Sequence, residues 1–443
     1  MHETVGEFYE GQSVFLTGCT GFLGKVVLEK LLYSCPGLDK VYILMREKKS
    51  MTAQERLNEI LEQPLFSRLK EKNPKAIKKI EIVVGDITEP RMGLKAEDEE
   101  ILVNKVSVVF HIAATVKFNE PFEVSMNVNA VGTKKMLDLS KRMKNIKVFV
   151  YVSTAYSNIN VAESVEEMLY PPKASLNELE KLLEVGITEE IVEKVIGKRP
   201  NKYLLTKALA ENLIADCHGE MPAVIIRPSI VTSSYVEPIA GWVDNWFGAT
   251  GLVITIMKGL TCVLHTELKN FLDLIPVDYV SNTTIVAASR SYSSEDVPVY
   301  NCSTSDCNPL TMLHLRDQIF ANVRKDECYN LWTPYVYHTK FKWIVIILTF
   351  LFRTVPAFLG DLYLYIRGKR TRYMKILSKA ILVRDSLEYF TSNSWIIRSS
   401  KLKVLFNSLS ASDKATFPCY PSDMDWDEYI KIYMNGIREF LFK

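Results

Sequence analysis

The sequence predicts an α/β protein, with a doubly wound parallel sheet followed by a mainly helical C-terminal domain. Three observations carry that expectation. Apolar strand-like runs alternate with helical stretches as far as about residue 235, and several are continuous rather than alternating, as strands buried on both faces are. A glycine-rich turn, Gly18, Gly21 and Gly24, separates the first such run from the first helical pattern. From about residue 330 the composition turns aromatic and basic.

Ser13 to Leu16 reads as the first strand and Lys25 to Leu32 as the first helix, joined by Thr17-Gly18-Cys19-Thr20-Gly21-Phe22-Leu23-Gly24. In a Rossmann sheet such a turn receives a dinucleotide pyrophosphate. The first glycine allows the bend, the second admits the phosphates to the backbone, and the third lets helix and strand pack, while the helix N-terminus offers N–H groups and partial positive charge. The second strand, Val41 to Leu44, runs into Met45-Arg46-Glu47-Lys48-Lys49. An NAD site favours an acidic residue here, whereas a 2′-phosphate wants cations, so NADPH is the expected cofactor. Arg46 is placed to stack on adenine and pair with the phosphate, assisted by Lys48 or Lys49. Ile80 to Val84 is a third strand, and Gly85-Asp86 after it falls near the adenine. Val106 to His111 is the next strand, and the small residues Ala113 and Ala114 after it allow close backbone approach to the cofactor. A helix over Thr133 to Arg142 and strands Val148 to Ser153 and Ala223 to Arg227 complete a nucleotide domain spanning 1–235. Gly241, Gly248, Gly251 and Pro276 interrupt a mixed, substrate-binding portion over 236–330, and residues 331–443 form the helical domain.

The catalytic candidates are Thr154, Tyr203 and Lys207. Tyr203 and Lys207 are four residues apart on one helix face. A phenol with an ordinary pKa near 10 exchanges protons poorly at neutral pH, and the neighbouring Lys207 ammonium favours its ionised form while holding the nicotinamide ribose, so that Tyr203 and Lys207 also border the cofactor. Ser153-Thr154 ends a strand, where this fold points a hydroxyl at the substrate carbonyl oxygen. Pro228 and Ser229 follow the last strand and border the nicotinamide.

Composition excludes other classes. Fifty-four basic against 52 acidic residues leave a net charge of +2, too even for nucleic acid as a partner. Eight cysteines without a C-x-x-C pair read as reduced thiols, and no metal site is expected. The acidic start, with no apolar run, predicts no signal peptide and a cytosolic chain. Phe341 to Ile366 contains ten uncharged, mostly apolar residues, Trp343 to Phe352, before Arg353, Pro356 and Asp361. That run is short for a bilayer span. It reads as a helix lying on or re-entering a membrane surface, with Arg367, Lys369, Arg370, Arg372 and Lys375 facing anionic headgroups, as an imperfect span that includes Arg353, or as a buried helix roofing an acyl tunnel.

Gly18-x-x-Gly21-x-x-Gly24 and Tyr203-x-x-x-Lys207 resemble the extended short-chain dehydrogenase/reductase superfamily. Whole stretches are similar to alcohol-forming fatty acyl-CoA reductases of the insect type: Val14 to Lys25, Phe110 to Phe118, Tyr151 to Tyr156, Arg227 to Val231, Gly241 to Asn245, Ile275 to Asp278 and Asp425 to Tyr429. The resemblance implies reduction of a long-chain acyl-CoA by two NADPH, through a bound aldehyde, to a primary fatty alcohol and CoA. Cys19 then needs no catalytic role. It also implies work at a cytosol-facing membrane, the endoplasmic reticulum. Two alternatives stay open: a hydroxysteroid or other lipid dehydrogenase of the same superfamily, and a non-catalytic NADPH-binding scaffold.

Overall fold

The computed structural model describes residues 4–47, 50–118, 120–159, 164–171, 175–186, 188–294, 296–324 and 335–442. Seven strands form its main sheet: β1 (Val14–Thr17), β2 (Val41–Met45), β3 (Ile80–Val84), β4 (Val108–His111), β5 (Val148–Val152), β6 (Ala223–Pro228) and β7 (Val299–Cys302). Their order is β3-β2-β1-β4-β5-β6-β7, and every neighbouring pair is parallel. The chain therefore reverses its direction of winding between β1 and β4, and a doubly wound sheet opens its ligand crevice there. Every residue of β1, β4, β5 and β6 is buried, which explains their unbroken apolar runs, while the edge strand β3 has an exposed and two half-buried positions.

Three boundaries differ from the sequence expectation. β4 starts at Val108 because the Val106 N–H closes the last turn of the Ala96–Lys105 helix on Leu102 (3.1 Å). β5 stops at Val152, leaving Ser153 at its mouth. The sheet also runs past residue 235, because β7 pairs along β6 and the Val277–Ser291 helix packs on the Phe22–Ser34 helix. The added strand shields backbone groups that β6 would otherwise present at an open edge.

The motif Gly241 to Asn245 is a junction. Trp242 stacks on Phe22 (5.2 Å between ring centroids), and Asp244 pairs with Lys25. Gly241 (φ +78°) lies against Gly436 at the end of the Trp426–Gly436 helix, where an added Cβ on Gly436 would fall 1.8 Å from the Gly241 carbonyl oxygen. The C-terminal region is also tied back by two small parallel pairs, Tyr337–Thr339 with Val263–His265 and Ile396–Ile397 with Ser164–Val165. Buried Glu167 adds a polar joint, accepting the backbone N–H groups of Asn301 (3.1 Å), Leu402 (3.2 Å) and Lys401.

Lys342–Ile366 is one helical rod of 25 residues, in which a π-helical turn, Phe350–Thr354, joins Lys342–Thr349 to Val355–Ile366. At 1.5 Å per residue it is roughly 37 Å long. Only 22% of its most apolar stretch is buried, so the alternative of a helix enclosed by the second domain does not hold. Trp343, Ile346, Phe350, Phe352, Leu359 and Tyr363 are exposed, whereas Arg353 turns inward and is 6% exposed. Asp361 caps the following Tyr373–Ser392 helix by accepting the N–H groups of Arg372, Tyr373 and Met374 at 2.8 to 3.0 Å.

Candidate active site

The nucleotide turn is shaped by close contact. Gly18 has φ +78°, and a Cβ there would stand 2.7 Å from the Ala113 backbone nitrogen; at Gly24 it would stand 2.1 Å from the Gly18 carbonyl oxygen. The Phe22–Ser34 helix starts at Gly21 without a side-chain cap. The first N–H groups of any helix have no intrahelical acceptor, so those of Phe22, Leu23 and Gly24 suit a pyrophosphate, with Thr20 exposed beside them. Thr17 acts on this arrangement from beneath. It is fully buried, and its hydroxyl accepts the N–H groups of Ile112 and Ala113 (3.2 Å each) and bonds His111 Nδ1 (2.8 Å), locking the end of β1 to the end of β4. The Cys19 thiol is pushed up to about 12 by burial, which suits an inert residue rather than a nucleophile.

At the mouths of β2 and β3, Arg46 pairs with Asp86 (3.2 Å) while its side chain stays 65% exposed. Thr88 holds the other Asp86 oxygen through its N–H (2.9 Å) and hydroxyl (2.8 Å). The structure thus brings together the two residues expected around the adenine. It adds Arg56, which the sequence reading missed and which donates to the Arg46 carbonyl. Its signal was available: Arg56 lies on the first helix after β2, Ala53–Leu61, close to the mouth of that strand. Lys48 and Lys49 lie outside the described residues.

Thr154 and Ser153 sit past β5, beside Pro228 and Ser229 at the end of β6. The Ala155 N–H donates to the Pro228 carbonyl (2.9 Å), and the Thr154 hydroxyl lies 3.5 Å from the same oxygen. Among the described residues, Ser153 Oγ and Ser229 Oγ are buried with no hydrogen-bond partner. Buried polar atoms are rarely left so, and two hydroxyls at the sheet mouth fit the carboxamide of a nicotinamide.

Tyr203 and Lys207 occupy the first half of the Lys202–Cys217 helix, which Asn201 caps by accepting the Leu204 N–H (3.1 Å). Lys207 is 2% exposed, donates to the Val152 carbonyl (2.7 Å) and lies 4.7 Å from the centre of the Tyr151 ring. Burial lowers its ammonium to about 7, against the opposing pull of Glu211. Burial raises the Tyr203 phenol above its ordinary value, and Glu211 raises it further. Both effects favour the protonated phenol. Reduction of a carbonyl requires that protonated form.

Glu211 also escaped the sequence reading. It is fully buried, takes a bidentate pair from Arg227 (2.9 and 2.7 Å) and accepts from Ser157 (3.1 Å) and Asn158 (3.3 Å). Its position one turn beyond Lys207 was legible, but its partner on β6 was not.

The family described as "Male sterility protein" matches residues 16–284 through its NAD-binding part and residues 352–443 through a second part. Fatty acyl-CoA reductase 1 of Mus musculus is 38% identical, covering 99% of this chain and 86% of that protein. The Homo sapiens protein of the same name is 37% identical, and fatty acyl-CoA reductase 2 of Mus musculus 32%, with the same coverage. Among solved structures, the terminal R domain of the myxalamid biosynthetic pathway is similar (TM-score 0.62, 20% identity, covering 97% of this chain and 91% of that one). So is the reductase domain of a nonribosomal peptide synthetase from Mycobacterium tuberculosis (TM-score 0.63, 18% identity, covering 96% and 91%). The structural likenesses establish the reductase fold, and the full-length sequence likeness goes further: this NAD(P)-binding oxidoreductase belongs to the fatty acyl-CoA reductase family.

Proposed function

We propose that the chain reduces long-chain acyl-CoA to the primary alcohol and free CoA with NADPH, and that Thr154, Tyr203 and Lys207 carry the chemistry. The observations that bear most weight are the Lys207 bond to the Val152 carbonyl at the end of β5, the Thr154 hydroxyl beside the Pro228 carbonyl at the end of β6, and Tyr203 one turn before Lys207 on the same helix. NADPH supplies a hydride for each of the two reductions. Thr154 and Tyr203 hydrogen-bond the substrate carbonyl oxygen and stabilise the negative charge that grows on it. The first reduction leaves a hemithioacetal, whose collapse expels CoA thiol and yields the aldehyde. Tyr203 gives its proton to the alkoxide formed in the second, and Lys207, near neutrality in its own titration, passes a proton back. The phosphate-bearing half of the cofactor falls to Gly18, Thr20, Gly21, Phe22, Leu23 and Gly24, and its 2′-phosphate to Arg46 with Arg56. Asp86 orients Arg46, while Ala113, Pro228 and Ser229 border the nicotinamide side.

We further propose that the exposed Lys342–Ile366 rod docks on the cytosolic face of a membrane, with the basic run from Arg367 to Lys375 against anionic headgroups. An acyl-CoA with a long chain partitions to the same surface.

The deciding experiment is NADPH oxidation by detergent-supported protein with palmitoyl-CoA and stearoyl-CoA, followed by chromatography of the lipids. Fatty alcohol at two NADPH per CoA released is the expected result. Tight NADPH binding without turnover of any acyl-CoA overturns the reading and turns attention to steroid substrates.

A further inference from the structure

An apolar cleft lies between two helices on the C-terminal side of the sheet domain. One wall is the Ala249–Met257 helix, through Leu252 and Ile256; the other is the Met312–Asn322 helix, through Met312, Leu315 and Ile319. Leu272 and Leu274 close its inner end, and the half-buried Arg316, Phe320 and His338 mark its mouth. Counting the open solvent at its mouth, the space between the walls is about 430 Å³.

Packed side chains connect its inner end to the candidate active site. Asp273, between Leu272 and Leu274, offers its carbonyl to the Tyr156 hydroxyl at 3.5 Å, and the Tyr156 N–H bonds Thr154 Oγ1 at 3.3 Å. The Tyr156 ring packs on Phe390 (4.9 Å), Phe390 on Phe118 (6.3 Å), and Phe118 on Tyr203 (6.0 Å). A chain of aromatic contacts therefore links the proposed proton donor to Tyr156, which reaches Asp273 between the two inner leucines. On the far side, Cys262 and Val263 pack under Val345 of the exposed rod while Leu264 faces the cleft, so one strand pair separates the cleft from the membrane-facing helix.

Resting on the acyl-CoA reductase reading, we propose that this cleft holds the substrate's acyl tail and that the Met312, Leu315 and Ile319 face measures its length. The three residues follow one another at helical spacing. The Met312 N–H bonds Asn270 (2.8 Å), and the neighbouring Leu310 carbonyl accepts from Leu272 (3.0 Å), fixing Met312 at the inner end. Successive positions then stand about 4.5 and 6 Å farther out at 1.5 Å per residue, and a bulky side chain at each truncates the space at a different depth.

The test is competition among lauroyl-, palmitoyl- and stearoyl-CoA. Leu315→Trp should lose stearoyl-CoA turnover at least about tenfold more than lauroyl-CoA turnover, as pocket sterics discriminate; Ile319→Trp should do so less, and Phe320→Ala, at the mouth, should favour the longer chains. Should the tryptophan variants fail to fold, a non-reducible stearoyl thioether of CoA with a diazirine at its ω end is crosslinked to the unmodified protein. Labels on 312–320 or 249–256 support the proposal. Labels confined to the Lys342–Ile366 rod, or an unchanged chain-length profile in folded variants, overturn it. Absence of acyl-CoA turnover by the unmodified protein instead overturns the functional reading on which the proposal rests, and the proposal with it.

Discussion

Burial moves Tyr203 and Lys207 in opposite directions, raising the phenol and lowering the ammonium to about 7. Tyr203→Phe should lower kcat by about 10²–10⁴, the usual worth of a positioned acid, while NADPH binding followed by fluorescence stays intact; loss of both would mean a structural role. Lys207 is charged below about 7 and neutral above it, so kcat/KM should fall as pH rises through that value. Lys207→Arg holds its charge across the range and should remove that fall, though at a lower rate. Arg46 is mostly exposed, which weakens any charge pair it makes. A charge-assisted bond to the 2′-phosphate still predicts that Arg46→Ala raises the KM for NADPH about tenfold and leaves that for NADH unchanged. Equal losses with both cofactors would remove Arg46 from the phosphate site. The motif glycines, Tyr203, Lys207, Arg46 and Asp86 were legible because each lies at a fixed offset from a strand or helix end. Glu211 was not, since a buried ion pair is defined by partners on other elements, whereas Arg56 lay near enough to the mouth of β2 to be read and was missed.

At the scale of elements, two joints hold the C-terminal helices to the reductase sheet. One is steric: Gly436 and Gly241 touch so closely that a methyl group has no room, and Gly436→Ala should destabilise by about 1–3 kcal/mol or more through overpacking, read as a lower unfolding temperature. The other is polar. Burial raises the Glu167 carboxyl to about 7 although three backbone N–H groups favour its ionised form. The folded state then holds a proton that the unfolded chain has released above about 4.5, so this group's contribution to stability is full below that value and is lost as pH rises toward 7. The loss amounts to about 3 kcal/mol. Thermal unfolding between pH 4.5 and 7 should therefore be steeper in pH for the native chain than for Glu167→Gln; parallel curves would show that Glu167 ionises as it does in solution. Strand positions were readable from continuous apolar runs, but β7 was not assigned, because Val-Tyr-Asn-Cys is short and half polar and becomes a strand only when β6 offers it an edge.

For the whole molecule, the issue is where the exposed apolar rod goes. Exposed apolar surface on this scale is costly in water and marks an interaction site. Replacing Trp343, Phe350 and Phe352 with serine should abolish flotation with phosphatidylserine vesicles and leave thermal unfolding nearly unchanged, since these side chains contribute little to the core. Native protein that fails to float would remove the membrane from the functional reading. Periodicity and glycine spacing determined the fold class, the cations after the second strand pointed to NADPH, and the likeness of whole stretches pointed to the family, because each is read from neighbours along the chain. Only the tertiary structure decided that burial raises the Tyr203 phenol, that the 342–366 segment is exposed and that the sheet continues to β7. Those properties depend on desolvation and packing, which arise between segments hundreds of residues apart and have no local signature.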